Sequence, residues 1–246
     1  MTGKGRAFSV LNMARAARIV IPGLPHHVVQ RGADRLSVFG TDADYLAYLQ
    51  MLGQQAQRAR LAVLGYCLMR DHVHLVVVPR TSASLAQAIG RTHWLYTQHV
   101  NRLRDREGPL WQNRFFSCPL DEAHLADVLL YVERNPMRAR QARYPWSYRW
   151  SSASAHANAT DPAGLLDMSL WRRVSTPAQW RSLLVRPDAE EMVKRIRRAT
   201  STGRPLATDS TLDRLERRLG RRLRALPVGR PRKSSSQSVA PKRSRA

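Results

Sequence analysis

The sequence is short of acid. Its 246 residues hold eighteen Asp and Glu against forty-one Lys and Arg, a formal net charge of +23, far more than solubility requires. That balance excludes an acidic binding module and points to a polyanionic partner, nucleic acid ahead of a membrane surface. Cysteine is nearly absent. Cys67 and Cys118 lie far apart, each in an apolar stretch, which excludes a disulfide framework and predicts two buried free thiols in a reducing cytoplasm. Long hydrophobic runs are missing as well: no segment approaches the roughly 18 residues of a membrane span. The basic start "MTGKGRAFSVLNMARAARIVIPG" leads into no signal-peptide apolar stretch. These absences predict a soluble, unexported, cytoplasmic protein with no membrane partner. A GxxxxGK[ST] phosphate loop is also lacking, so no residue pattern calls for ATP.

The hydrophobic content, 43%, is enough for a real core. "HHVVQRG" reads as a short strand. "DADYLAYLQMLGQQAQRA" aligns Tyr45, Leu49, Leu52 and Ala56 on one face, a helix with Asp42 at its N-cap. "LAVLGYCLM" and "HVHLVVVP" are dense β runs around Arg70-Asp71, a predicted hairpin. A second helix over "SASLAQAIGRTHWLYTQHVNRLR", a strand in "LWQNRFFSCPL" and a helix over "DEAHLADVLLYVERNPMRAR" follow. The order β-α-β-β-α-β-α predicts an α+β fold: a ferredoxin-like, split βαβ antiparallel sheet with helices on one face. From about residue 145 the chain becomes turn-rich, and little further chemistry is legible. From Lys194 onward 17 Lys or Arg face three acids, a net of +14. Within that stretch "DSTLDRLERRLGRRLRAL" keeps Leu212, Leu215, Leu219 and Leu223 on one stripe, a small basic helical module. The final residues read as a disordered basic arm.

Two residue groups suggest chemistry. On a strand the side-chain period is two, so His72 and His74 share one face while Val73 takes the other. Two neighbouring imidazoles can chelate a divalent ion, though either alone reads as a polar residue on a solvated face. The remaining histidines form no cluster beyond the doublet His26-His27, which weakens a water-activating hydrolase. Tyr131 and Asn135 are four apart on the last helix of this block, so a phenol and an amide oxygen share a face. Taken singly they read as a core aromatic and a helix C-cap. Asn135-Pro136 ends or kinks that helix.

Five blocks, "HVVQRG", "YCLMRDHVHLVVVP", "LWQNRFF", "YVERNPMRAR" and "YPWSYRWSS", resemble in order and spacing the REP-associated tyrosine transposases of the single-tyrosine HUH transposase superfamily. The likeness covers about residues 14–155. It implies that His72, His74 and Asn135 bind Mg2+ or Mn2+, that Tyr131 is the nucleophile, and that the partner is single-stranded hairpin DNA. It also suggests a monomer, with a dimer left open, close to the nucleoid. Where the family usually has Pro-Asn before the histidines, this chain has Arg70-Asp71; strand alternation predicts that Asp71 faces away from them. Residues 1–13 are expected to be disordered, with Met13 an alternative start. Residues 156–226 form the helical basic extension and 227–246 the disordered tail.

A tyrosine oxygen can hold a DNA phosphate covalently, and a divalent ion can stabilise charge growing on the phosphoryl and leaving oxygens. Arg31, Arg114, Arg134 and Arg138 adjoin the motif blocks as candidate phosphate contacts, each readable alone as a surface arginine. Trp111 is a candidate for base stacking and equally a core residue. Two other readings remain at this stage: a noncatalytic nucleic-acid-binding regulator, and a hydrolase in which the histidine-bound metal activates water.

Overall fold

The computed structural model describes residues 17–225, except 162. The disorder expected for residues 1–13 and 227–246 falls outside that range. Four strands form one antiparallel sheet: β1 (His26–Arg31), β2 (Leu61–Met69), β3 (His72–Pro79) and β4 (Phe116–Pro119), in the order β2-β3-β1-β4. β3 separates β1 from β2, and β1 separates β3 from β4. The sheet is thus two interlocked split βαβ units, with crossovers α1 (Asp42–Arg58) and α2 (Arg91–Leu103).

Local chemistry sets these boundaries. Thr41, not Asp42, caps α1. Its hydroxyl accepts from the Asp44 amide, and the Asp44 carboxylate accepts from the Thr41 amide at 3.0 Å, a reciprocal capping box. β2 and β3 meet as a hairpin with Met69 opposite His72, as the Arg70-Asp71 turn predicts. α2 is preceded by a turn of π-helix, Ala86–Gly90.

Alternation in β3 assigns the two faces. Val73, Leu75 and Val77 pack with Tyr48, Leu52 and Tyr96 from α1 and α2. Val76 and Val78 pack with Val128, Leu129 and Val132 from α3 (Glu122–Glu133). Helices therefore cover both faces, not one. A β-rich core this apolar on both sides of each strand cannot leave one face in water. Gly65 on β2 permits the approach of α3: a Cβ there would stand 2.7 Å from Leu129 Cδ2.

α3 stops at Glu133, and Asn135 opens a single turn, α4 (Asn135–Arg138), with Pro136 in its first turn, where the missing amide hydrogen costs nothing. The later chain joins the α3 face through α5 (Ala153–Asn158), α6 (Met168–Trp171), α7 (Pro177–Leu184) and α8 (Glu190–Thr202). Trp171, Trp180 and Ile196 lie in the same apolar cluster as α3. Buried Glu133 ties them together: its carboxylate accepts from Trp180 Nε1 at 2.8 Å and from Ser152, and lies 2.6 Å from His156 Nδ1, outside hydrogen-bond geometry. α9 (Asp209–Leu219) presents Leu215, and Leu223 beyond it, to Ile21. Cys67 and Cys118 are buried and free, as expected. No helix among the described residues is long and apolar enough to cross a membrane.

Candidate active site

β1, β3 and α3 converge on a cavity of about 430 Å3. The antiparallel register puts Val29 opposite His74, so His27, Val29 and Arg31 share the face of His72 and His74. All five line the cavity together with Tyr131, Asn135 and Arg138. The histidine rings of β3 meet edge to face at 5.1 Å between centroids. Tyr131 stands edge-on to both His27 and His74, 5.8 Å from each.

Hydrogen bonds fix which imidazole nitrogen carries the proton. Thr200, on α8, donates its hydroxyl to the Ile196 carbonyl at 2.8 Å. Its oxygen can therefore accept from His27 Nδ1, 2.8 Å away. His27 Nε2 is left as an acceptor, and its partner at 3.0 Å is His74 Nδ1. His74 then keeps an unprotonated Nε2. The same result reaches His72 by another route, because its Nδ1 lies 2.6 Å from Asp71 Oδ1, an obligate acceptor when ionised. Both histidines thus offer a lone pair at Nε2. Burial favours the neutral rings. It pushes the His27 pKa down to about 3, helped by the Arg138 charge, and holds His74 well below its ordinary value, with further depression from His27 and His72. For His72 burial also lowers the pKa, against the opposing pull of Asp71.

Asp71 therefore does not face away from the histidines. It sits in the turn, where strand alternation no longer governs direction, and its carboxylate folds back onto the next residue. Asn135 donates its amide to the carbonyls of Tyr131 at 3.2 Å and Val132 at 3.1 Å, which leaves Oδ1 as its acceptor. Two imidazole nitrogens and one amide oxygen form a donor set that fits a divalent ion. Among the described residues no group of three His, Cys, Asp or Glu could hold a metal.

The arginines divide. Arg31 and Arg138 line the cavity. The Arg138 guanidinium lies 4.2 Å from the Tyr131 ring centroid, bonds the Tyr131 carbonyl and pairs with Asp188 at 2.6 Å. Arg134 is a correction. It is buried, pairs with Asp188 at 2.8 Å and donates to the carbonyls of Leu183 and Leu184, so each guanidinium nitrogen is engaged inside the protein and it pins α7 to α3. Trp111 is a second correction: it is 8% exposed, lies in the core between Tyr48 and His93, and donates its indole N–H to the His93 carbonyl at 3.1 Å. Arg114 lines a neighbouring cavity.

Sequence reasoning missed His27, Thr200, Arg197 and Asp188. His27 was half visible in the His26-His27 doublet. Arg197 and Thr200 enter the cavity from α8, so site residues do not end near residue 145. Their helical spacing of three carries no signal of what they face.

Residues 21–135 match the family described as "Transposase IS200 like". Among solved structures, the chain resembles a REP-associated tyrosine transposase bound to a REP hairpin, with TM-score 0.52 and 14% identity, over 61% of this chain and 90% of that one. It also matches a putative transposase from Deinococcus radiodurans R1, with TM-score 0.35 and 19% identity, over 49% and 97%. No curated protein matches the sequence. The sheet, both histidines and the tyrosine helix all lie inside the span, residues 21–135, that is similar to the IS200-like transposase family.

Proposed function

We propose that the protein is a metal-dependent single-stranded DNA nickase and strand transferase acting on repetitive palindromic hairpins. The observation that carries this is the pairing of two Nε2 lone pairs, fixed by Asp71 and by the Thr200–His27 relay, with a tyrosine in the same cavity. The solved relative bound to a REP hairpin supports the same substrate class. The Tyr131 oxygen attacks the phosphorus and forms a Tyr–O–P bond as the bond to the 3′ oxygen breaks. The phenolic proton passes to solvent and the leaving oxygen ends as a 3′-OH, so the 5′-phosphotyrosine keeps the ester and a second 3′-OH can reclaim it without ATP. His72, His74 and Asn135 would hold Mg2+ or Mn2+, which supplies charge stabilisation at the phosphoryl oxygens. Arg138 and Arg31 place positive charge beside the same oxygens. Hairpin DNA is the proposed partner, a monomer the proposed unit, and the nucleoid-bearing cytoplasm the proposed location.

Labelled hairpin single-stranded DNA incubated with the protein and Mn2+ should give a denaturant-stable adduct whose modified peptide contains Tyr131. Cleavage with no adduct would favour the water-activating hydrolase instead, and binding with neither would favour the noncatalytic regulator.

A second expectation concerns Asp71. Removing a carboxylate that orients a ligating histidine typically weakens metal binding about 10–100-fold. Asp71→Ala should weaken Mn2+ affinity by that factor in calorimetric titration, and should let the His72 ring populate both neutral tautomers in nitrogen NMR. Unchanged affinity with one tautomer retained would remove Asp71 from the site.

A further inference from the structure

Beside the catalytic cavity lies a second one of about 410 Å3, and Phe116 and Ser201 line both. Its walls carry Arg18, Arg114, Arg204, Arg221 and Arg222 and no acidic residue. The arginines come from four separate stretches: the segment before β1, the approach to β4, the turn after α8 and the segment after α9. Some arginines elsewhere are matched by carboxylates: Arg134 and Arg138 meet Asp188, and Arg224 meets Asp213 and Glu216. None of the five meets a carboxylate among the described residues. Burial and the like charge of Arg114 push the Arg18 pKa below its usual value.

The cleft is built rather than incidental. Arg18 stacks 3.7 Å over the Phe115 ring and donates to the Phe115 carbonyl at 2.9 Å. Arg204 donates to the carbonyl of Leu223 at 2.7 Å and to that of Arg224, which holds the Arg221-Arg222 segment against the end of α8. Gathering like charges from distant stretches costs folding energy, and an anionic ligand offsets it. Five guanidiniums exceed what one phosphate monoester can use. A chain of phosphates can use them all.

We infer that this cleft binds the single-stranded DNA flanking the cleaved phosphodiester, which crosses Phe116 from the catalytic cavity and lays its phosphates along the arginines. This rests on reading the neighbouring cavity as a DNA-nicking centre. It assigns a role to the C-terminal extension, which contributes three of the five cations.

The test uses the full chain and fluorescence anisotropy, with hairpin oligonucleotides that lack a flank or carry a single-stranded flank on the 5′ or the 3′ side. Wild-type protein should bind one flanked hairpin at least 10-fold more tightly than the bare hairpin. Arg221 and Arg222 are exposed, so the double variant Arg221→Glu, Arg222→Glu should fold. It should lose most of that gain, and its salt dependence should flatten by roughly one to two units of slope. Arg114→Ala provides a second, milder loss. A variant that keeps the full gain, or a gain that is equal when the flank is made double-stranded, overturns the inference. Failure of the nicking reading looks different, since wild-type protein would then form no adduct while still preferring the flank.

Discussion

Tyr131→Phe should abolish the protein–DNA adduct while leaving fold and hairpin binding in place. The phenol ring is 6% exposed and wedged between His27, His74 and the Arg138 guanidinium. Its hydroxyl makes no hydrogen bond among the described residues, so phenylalanine keeps every ring contact and orphans no buried partner. Stability should then change by no more than about 1 kcal/mol. Deleting a nucleophile that acts as part of a unit costs on the order of 10^4-fold or more in rate, and here the atom that would hold the phosphate is gone. Denaturing gels should show no adduct for the variant, while anisotropy with the uncleaved hairpin should give a dissociation constant within about twofold of wild type. Adduct at the wild-type level would mean that another side chain attacks. A collapse of binding would mean that the hydroxyl positions DNA rather than reacting with it.

The residues in this prediction differ in how readable they were. His72 and His74 were legible because a strand's period of two survives into the tertiary structure. Tyr131 and Asn135 were legible through a helical period of four, even though the helix breaks between them, because a single turn restarted at Asn135 keeps the direction. Asp71 was misread: one residue before the strand, alternation had not begun. The orientation of His74 was invisible, since it depends on Thr200, which lies 126 positions further along the chain and reaches His74 only through His27. Trp111 and Arg134 looked like nucleic-acid contacts because aromatic and basic residues cluster near the motifs. Burial decides otherwise, since a buried indole N–H and a buried guanidinium must find partners inside the protein, and both do. The fold was legible as an element order. That the sheet is covered twice was not, because the second cover comes from α3 and from a low-signal extension whose tryptophans had no visible partner until they met Glu133 and His156.

Acid should unfold the protein well above the range where its carboxylates titrate. Burial holds the pKa of His26 down to about 4 and those of His27 and His93 to about 3, and keeps His74 well below its ordinary value. In the unfolded chain each returns to about 6.5. Between those limits the unfolded state binds more protons than the folded one, so stability rises with pH and falls as pH drops below about 6.5. The hydrogen bonds agree with this sign. His26 Nε2 accepts from the Ile21 amide at 3.2 Å while Nδ1 faces the Leu24 carbonyl at 2.8 Å, so a second ring proton would break the first bond. Each independent site loses about 1.4 kcal/mol per pH unit, or about 2 kcal/mol between pH 6.5 and 5. His26, His27 and His93 each take up a proton in the unfolded chain but not in the folded one, and together lose about 6 kcal/mol; His74 adds loss in the same direction. That sum of about 6 kcal/mol rivals the whole stability of an ordinary domain. Denaturant titrations with a chelator present should show the unfolding midpoint falling steeply from pH 7 to pH 5, while His93→Phe flattens part of the slope. A midpoint constant across that range would show that these rings are not held neutral by the fold, and the assignment of Nε2 lone pairs at the site would lose its electrostatic basis.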